Sequence, residues 1–138
     1  MNANRRLHAI GCAALMLAAM LCVASVPRAQ TATAETSVRD TLKRYSTALE
    51  SLDANAVKKV QPSIPTDNLA KAFKDMRELK VEIDAVRVLS IDGNKARVSC
   101  RVTQTLTPKA GSKQTSAVTR VMRLRREADS WVIDGFER

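Results

Sequence analysis

The sequence predicts an α+β fold, in which three N-terminal helices pack on the concave face of a curved, four-stranded antiparallel sheet. Between residues 37 and 76, apolar residues recur at steps of three and four, which is the period of an amphipathic helix. From Leu79 onward they recur at steps of two, which is the period of a half-buried strand. Short turn-like segments separate the later runs, and helices followed by closely spaced strands are typical of an α+β domain.

The first 29 residues have the layout of a secretory signal peptide. Arg5 and Arg6 precede the uncharged run Leu7–Val26, and small residues follow it. Cleavage after Ala29 is the preferred position. An uncleaved run would be nearly long enough to span a bilayer, so an N-terminal membrane anchor remains an alternative. The sequence therefore predicts an exported protein, periplasmic or secreted, or one that its leader holds at the membrane.

Removal of this leader changes the charge of the protein. The chain has 23 basic and 14 acidic residues and a formal net charge of +9. Three basic residues and no acidic ones lie in the leader, which leaves 20 basic against 14 acidic residues, or about +6. A charge of this size favours solubility and attraction to anionic surfaces, but it does not indicate a fold.

The first helix is predicted to begin at Ser37, after a flexible lead-in of small and polar residues at 30–36. Ser37 is the predicted N-cap, and Asp40 places a carboxylate near the positive end of the helix. Apolar residues then recur at helical spacing, which places them on one face. They are Val38, Leu42, Tyr45, Leu49 and Leu52. The domain that this helix opens is predicted to occupy residues 37–138.

Two shorter helices are predicted to follow. Asp53 is the expected cap of the second, which ends before Pro62. Thr66 or Asp67 is the expected cap of the third. Both helices carry a stripe of apolar residues that should face the core. The stripe consists of Val57 and Val60 in the second helix and of Leu69, Phe73 and Met76 in the third.

The first predicted strand contains a bend. Apolar residues alternate from Leu79 to Ile83, after which the phase slips by one and Val86 continues the apolar side. Such a slip is typical of a β-bulge or a sharp bend. The segment Asp92-Gly93-Asn94 then predicts a hairpin turn.

Three further strands complete the predicted sheet. The third covers roughly residues 115–126, and a turn at residues 128–130 leads into the last. Each strand has an inward phase of mostly apolar residues. These are Ala96, Val98, Cys100 and Val102 in the second strand, Val118, Met122 and Leu124 in the third, and Trp131 and Ile133 in the last.

With these elements placed, the chain resembles the nuclear transport factor 2-like superfamily, which includes the SnoaL-like domains and has a cystatin-like cone fold. The resemblance covers most of residues 37–138. It rests on "SVRDTLKRYSTALESLDANAV", on the short third helix, on the bent strand ending "VLSIDGNKARVSC", and on "LRREADSWVIDGF". It implies a cone, in which a strongly curved sheet wraps around helices and often leaves a pocket between them. Trp131, the only tryptophan, would form a wall of that cone.

Several kinds of chemistry are excluded from the predicted domain. The only histidine, His8, lies in the leader, and Cys100 is the only cysteine that follows it. Ser-His-Asp and Cys-His nucleophiles, zinc sites of His and Cys, and internal disulfides are therefore excluded. No phosphate-binding glycine motif occurs. The sequence predicts no catalytic set, no metal site and no cofactor, and Cys100 is expected to be a buried small apolar residue.

A pocket inside the cone would be lined by large and polar residues in the inward phase. Arg120 shares its phase with apolar neighbours, and an unpaired charge is costly on that side. It should therefore line a wet pocket and meet an anion, unless a bulge turns it outward. In catalytic branches of the superfamily, pocket carboxylates work with Tyr, Arg or His, but the strand acids here fall in the outward phase. The predicted ligand-binding residues are Tyr45, Gln104, Arg120, Met122 and Trp131.

The outer face of the predicted sheet is basic. It carries Arg97, Arg101, Arg123 and Arg125. These side chains form either a solvated surface or a docking surface for an acidic protein or an envelope component. Nucleic acid is disfavoured, because the domain has few aromatic residues on which bases could stack. The mutual repulsion of these arginines predicts a monomer or a weak homodimer.

Three functions are compatible with the sequence. The favoured one is an exported, non-catalytic module that binds a small apolar or anionic ligand, or a protein partner. The second is a SnoaL-like or isomerase-type enzyme, in which a pocket carboxylate works with Tyr45 or Arg120. The third is an envelope interaction domain that the uncleaved leader anchors in the membrane.

Overall fold

The structure is a computed structural model that describes residues 28–137. Apart from the backbone of its last two residues, the predicted leader at 1–29 lies outside this range. Seven elements follow one another along the chain: α1 (Arg28–Glu50), α2 (Ala54–Val60), α3 (Thr66–Lys74), β1 (Met76–Asp92), β2 (Lys95–Pro108), β3 (Gln114–Glu127) and β4 (Ser130–Phe136). The strands form one antiparallel sheet in the order β1-β2-β3-β4. The predicted fold class, three helices followed by a curved four-stranded sheet, is confirmed.

Helix α1 begins earlier than the sequence pattern indicated. Residues 30–36, predicted to be a lead-in, are helical, although only their alanine, glutamine and glutamate favour a helix and their three threonines do not. Ser37 consequently lies inside the helix and is not its N-cap. Its hydroxyl donates a hydrogen bond of 3.0 Å to the carbonyl of Thr33, as serine hydroxyls inside helices commonly do.

The predicted inner face of α1 is confirmed, since Val38, Leu42, Tyr45 and Leu49 are buried. A polar contact joins this helix to the last strand. The hydroxyl of Thr41, which is fully buried, shares its one proton between the carbonyl oxygens of Ser37, at 3.0 Å, and Trp131, at 3.2 Å. Thr41 thus anchors α1 on β4.

The two short helices begin differently. The side chain of Asp53 accepts a hydrogen bond of 2.8 Å from the backbone N–H of Asn55, which confirms Asp53 as the cap of α2. Helix α3 follows Pro65 and has no side-chain cap, so the capping role predicted for Thr66 or Asp67 is wrong. Asp67 instead lies in the first turn, where its charge complements the helix dipole.

The bend predicted in the first strand is present. The register between β1 and β2 shifts between Asp84 and Arg87, and Ala85 has a φ of +48°. A hairpin through Gly93, with a φ of +55°, then connects the two strands. The bulge bends β1 so that the sheet can curve around the helices.

The core lies between α1 and the concave face of the sheet. Its most buried members on the sheet include Val98, Met122 and Ile133, each at most 1% exposed. Trp131 is 3% exposed and belongs to the same cluster, which confirms that it fills space between sheet and helices. Within residues 28–137, no helix is long and apolar enough to cross a membrane.

Candidate functional site

A small pocket opens on the concave face, at the end of the sheet remote from the β1–β2 and β3–β4 hairpins. Its volume is about 50 Å³. Helix α1 contributes one wall, β2 and β3 form the floor, and the end of β4 contributes a second wall. The lining residues are Tyr45, Val102, Gln104, Ser116, Val118, Arg120, Met122 and Phe136.

Four of the five predicted ligand-binding residues meet in this pocket: Tyr45, Gln104, Arg120 and Met122. Trp131 does not. It lines a separate cavity of about 770 Å³ between the N-terminal part of α1 and the two hairpin turns. The separation follows from the antiparallel pairing, because Trp131 lies opposite Arg126, whereas the pocket begins where Phe136 lies opposite Met122.

Arg120 projects to the concave side, as its phase predicts, but it reaches the mouth of the pocket and is exposed. Its guanidinium carbon lies 5.5 Å from the centre of the Phe136 ring, within the range of a cation–π contact. Among residues 28–137, no carboxylate forms an ion pair with it. The pocket therefore presents a positive charge that is stacked on an aromatic ring and not neutralised.

Tyr45 forms the buried wall of the pocket and is 7% exposed. Burial raises the pKa of its phenol, an effect that the positive charge of Arg120 partly opposes. The ring of Tyr45 also packs against Phe136, with centroids 6.5 Å apart and planes inclined at 47°. At neutral pH the phenol is consequently protonated and available as a hydrogen-bond donor.

Phe136 and Ser116 are the pocket residues that sequence reasoning missed. Strict alternation from Ile133 would turn Phe136 to the outer face. The register between β3 and β4 shifts, however, so that Ile133 pairs with Leu124 and Phe136 with Met122. This irregularity brings Phe136 onto the concave side. A glycine inside a strand often marks a bulge, so Gly135 was the available signal.

Cys100 lies on β2 opposite Arg120, belongs to the buried core and is 1% exposed. Burial raises the pKa of its thiol, and the nearby charge of Asp84 raises it further. A buried, protonated thiol is a poor nucleophile, which fits the predicted structural role. Across the described part of the chain, no group of three or more His, Cys, Asp or Glu side chains is arranged to hold a metal ion.

The predicted basic outer face is present, but much of its charge is paired. Arg97 donates two hydrogen bonds of 2.7 Å to the carboxylate of Glu137. Arg125 forms ion pairs with Glu127 and Asp134. Arg123 lies opposite Arg97, and Arg101 lies opposite Thr119. These contacts remove part of the repulsion on which the expectation of a monomer or weak dimer rested.

Of the comparisons with known proteins, only the one with solved structures finds similar proteins. No protein-family model matches the chain, and no curated protein matches it. Many solved structures do.

Three of these structures illustrate the similarity. A nuclear transport factor 2-like superfamily protein from Salmonella enterica serovar Typhimurium is 16% identical, with a TM-score of 0.64 over 78% of this chain and 92% of that one. A candidate dehydratase of the same family from Streptomyces avermitilis is 16% identical, with a TM-score of 0.65 over 77% and 95%. A hexachlorocyclohexane dehydrochlorinase is 8% identical, with a TM-score of 0.62 over 78% and 85%.

The similarity covers both the helices and the sheet, and it agrees with the resemblance that the sequence motifs indicated. At identities this low, the structural similarity establishes the fold alone. The chemistry has to be inferred from the residues of this chain. The chain therefore has the nuclear transport factor 2-like fold.

Proposed function

We propose that the protein is an exported binding module, and that the pocket around Arg120 holds a small ligand with an anionic group and an apolar or aromatic body. The observation that carries the proposal is the position of Arg120. Its guanidinium lies over the Phe136 ring and has no carboxylate partner within residues 28–137. A ligand carboxylate would supply the missing charge, and arginine can hold such a group with two hydrogen bonds.

The other walls suit the same kind of ligand. The protonated phenol of Tyr45 can donate to a ligand oxygen, and the exposed amide of Gln104 can donate or accept. Met122 and Phe136 provide apolar surface. Ligand sites commonly combine a mostly apolar lining with a few polar groups that fix orientation.

The size of the pocket limits what it can enclose. On the same measure of cavity volume a single water molecule needs about 10–15 Å³, so a pocket of about 50 Å³ encloses only a few water-sized groups, such as a carboxylate. The body of the ligand would then lie across the mouth, where Ser116 and Val118 are exposed.

A catalytic function is the second candidate. It is favoured by the similarity to a candidate dehydratase and a dehydrochlorinase, and by the buried phenol of Tyr45, which could donate a proton. The pocket lining contains no carboxylate and no imidazole. A general base with a pKa near neutrality is therefore missing from the described lining, which favours binding over proton abstraction.

Benzoate and its neutral analogue benzamide test the binding proposal. We expect benzoate to raise the melting temperature of the protein and benzamide to have a much smaller effect, because ligands that bind the folded state stabilise it. Arg120→Met should abolish the benzoate effect. Arg101→Met, which removes an equal charge from the outer face, should preserve it. Equal loss of the benzoate effect in both variants would show that benzoate binding depends only on net charge, and it would refute the site.

Export is tested separately. Mass spectrometry of the protein isolated from its native host should find a mature N-terminus near residue 30. An intact N-terminus at Met1 or Asn2 would instead favour the anchored alternative.

A further inference from the structure

The two sides of strand β3 are not equally occupied. Strand β2 pairs with β3 from Gln114 to Arg125, whereas β4 pairs with it only from Met122 to Glu127. Among the described residues, the segment 114–120 of β3 therefore has a neighbouring strand on one side only. We call this segment the open edge.

The open edge presents backbone hydrogen-bonding groups in a regular order. The N–H of Glu137 donates to the carbonyl of Val121 at 2.8 Å, so the carbonyl of Val121 points to the β4 side. The pairing of β2 with β3 has no register shift, and the direction of backbone groups alternates along an antiparallel strand. Thr115, Ala117 and Thr119 consequently direct their N–H and C=O groups away from β2.

The opposite edge of the sheet is protected. On β1, the N–H of Val81 donates to the carboxylate of Glu50 at 2.9 Å. Arg39 donates to the carbonyl of Val86 at 3.4 Å, and the strand contains three register shifts. Side-chain contacts, charges and bulges are the means by which proteins prevent unwanted pairing at sheet edges.

The open edge has few of these protections, and its one charged residue is Arg120 at the end next to β4. Residues 114–119 read QTSAVT, with no charged residue and no proline, and all are exposed. Threonine and valine favour an extended conformation. An exposed edge without bulges, and with a run of uncharged residues such as 114–119, is a template for another strand.

We infer that the open edge is a docking site for an extended peptide segment of a partner protein, which adds to the sheet as a strand antiparallel to β3. In this form of recognition, backbone hydrogen bonds supply affinity and alternate side chains supply specificity. Val118 is 44% exposed and lies on the concave side next to Arg120. The segment should therefore carry an acidic side chain opposite Arg120 and, two residues later, an apolar one opposite Val118.

This docking site goes beyond the proposed small-ligand pocket, because it depends on the backbone of the open edge. The two share the side chains of Ser116, Val118 and Arg120, but not the backbone groups of the edge. A substitution that blocks the edge should leave benzoate binding intact, so either proposal can fail without the other.

The test uses a synthetic peptide with the sequence Glu-Thr-Val-Thr-Val-Thr, blocked at both ends and fluorescently labelled, and measures its binding by anisotropy. Ala117→Pro removes an N–H that faces the partner, and proline is tolerated at edge positions of this kind. We expect this substitution to weaken binding by about tenfold or more. A peptide N-methylated at the N–H groups that face β3 should show a similar loss of binding to the unaltered protein. This comparison keeps the test valid if Ala117→Pro does not fold.

Arg120→Met tests the specificity of the site. It should weaken binding of the peptide that contains glutamate, but change the affinity for a peptide with glutamine in its place by no more than about twofold. Absence of peptide binding up to about 1 mM, or equal binding of the N-methylated peptide, would overturn the inference. Self-association of the protein that Ala117→Pro abolishes, without peptide binding, would also overturn it and assign the edge to a second copy of the chain.

Discussion

Arg97 and Glu137 join strand β2 to the residue that follows β4, across the intervening strand β3. The guanidinium donates through Nε and Nη2 to the two carboxylate oxygens, at 2.7 Å each. Arg97 also lies opposite Arg123 in the pairing of β2 with β3. Glu137 therefore offsets the repulsion between two arginines that face each other.

Glu137→Gln is expected to lower the melting temperature slightly, because the pair is solvent-exposed and such pairs contribute little individually. Glu82→Gln, which removes an exposed carboxylate that forms no ion pair among residues 28–137, is the matched control for a change of surface charge. Thermal denaturation at neutral pH and low salt measures both. A larger decrease for Glu82→Gln than for Glu137→Gln would contradict a stabilising role of the pair.

The same pair predicts a dependence of stability on pH. The hydrogen bonds from Arg97 lower the pKa of the Glu137 carboxyl below its ordinary value. A lowered pKa in the folded state stabilises the protein above the ordinary value, and this contribution is lost as the pH falls through the lowered pKa. The difference in unfolding free energy between the unaltered protein and Glu137→Gln should therefore shrink on acidification. A difference that is constant down to about pH 2 would refute the linkage.

Thr41→Val should destabilise the fold by about 1 kcal/mol. It removes a buried hydroxyl that accepts from Arg44 and shares its proton between the carbonyls of Ser37 and Trp131, while preserving the shape of the side chain. Arg44 also donates to the carbonyl of Trp131, at 3.1 Å, so that carbonyl keeps a partner and the cost stays moderate. Thr47→Val, at an exposed site on the same helix, is the matched control. Urea denaturation followed by circular dichroism should show the larger loss for Thr41→Val; equal losses would mean that the buried contact contributes nothing.

Gln61→Leu should stabilise the protein by about 1 kcal/mol. Gln61 is 7% exposed, and its side-chain oxygen is buried without a hydrogen-bond partner within the described chain. A buried polar atom without a partner costs free energy that an apolar side chain of similar size avoids. Gln30→Leu, on the exposed surface of α1, controls for added hydrophobicity. A destabilised Gln61→Leu variant would show that the amide makes a contact that the structure does not contain.

Tyr45 should titrate above its ordinary pKa, because burial disfavours the phenolate. Arg120→Met should raise the pKa further, since Arg120 favours the phenolate. The raised pKa means that stability falls as the pH rises from the ordinary value of about 10 through the raised one. Tyr45 is the only tyrosine, so tyrosinate absorbance measures it directly. A lower pKa in Arg120→Met would contradict the placement of Arg120 beside the phenol.

The parts of the fold that the sequence predicts well are those with a strong hydrophobic period. The inner face of α1, the alternation in β2 and the bend near Ala85 all follow from apolar spacing. Helix boundaries without such spacing are harder to predict. Residues 30–36 have no apolar face, and three of the seven are threonine, a weak helix former, so no local pattern indicated that α1 begins before Ser37.

The candidate site was only partly predictable for a related reason. Tyr45, Gln104, Arg120 and Met122 lie on regular elements, so their phase placed them on the concave side. Phe136 follows an irregularity in β4, and after an irregularity the phase no longer indicates the face. The contact between Arg97 and Glu137 joins residues separated by 40 positions, and no local pattern encodes such a pair.

The position of Trp131 makes its fluorescence an intrinsic probe of folding. The indole is enclosed where α1 meets β4, at the far end of the sheet from the pocket of Tyr45 and Arg120. Its emission should therefore respond when the helix separates from the sheet and remain almost constant when the pocket fills. Tryptophan emission can thus follow denaturation without a label on the protein and without interference from ligand binding.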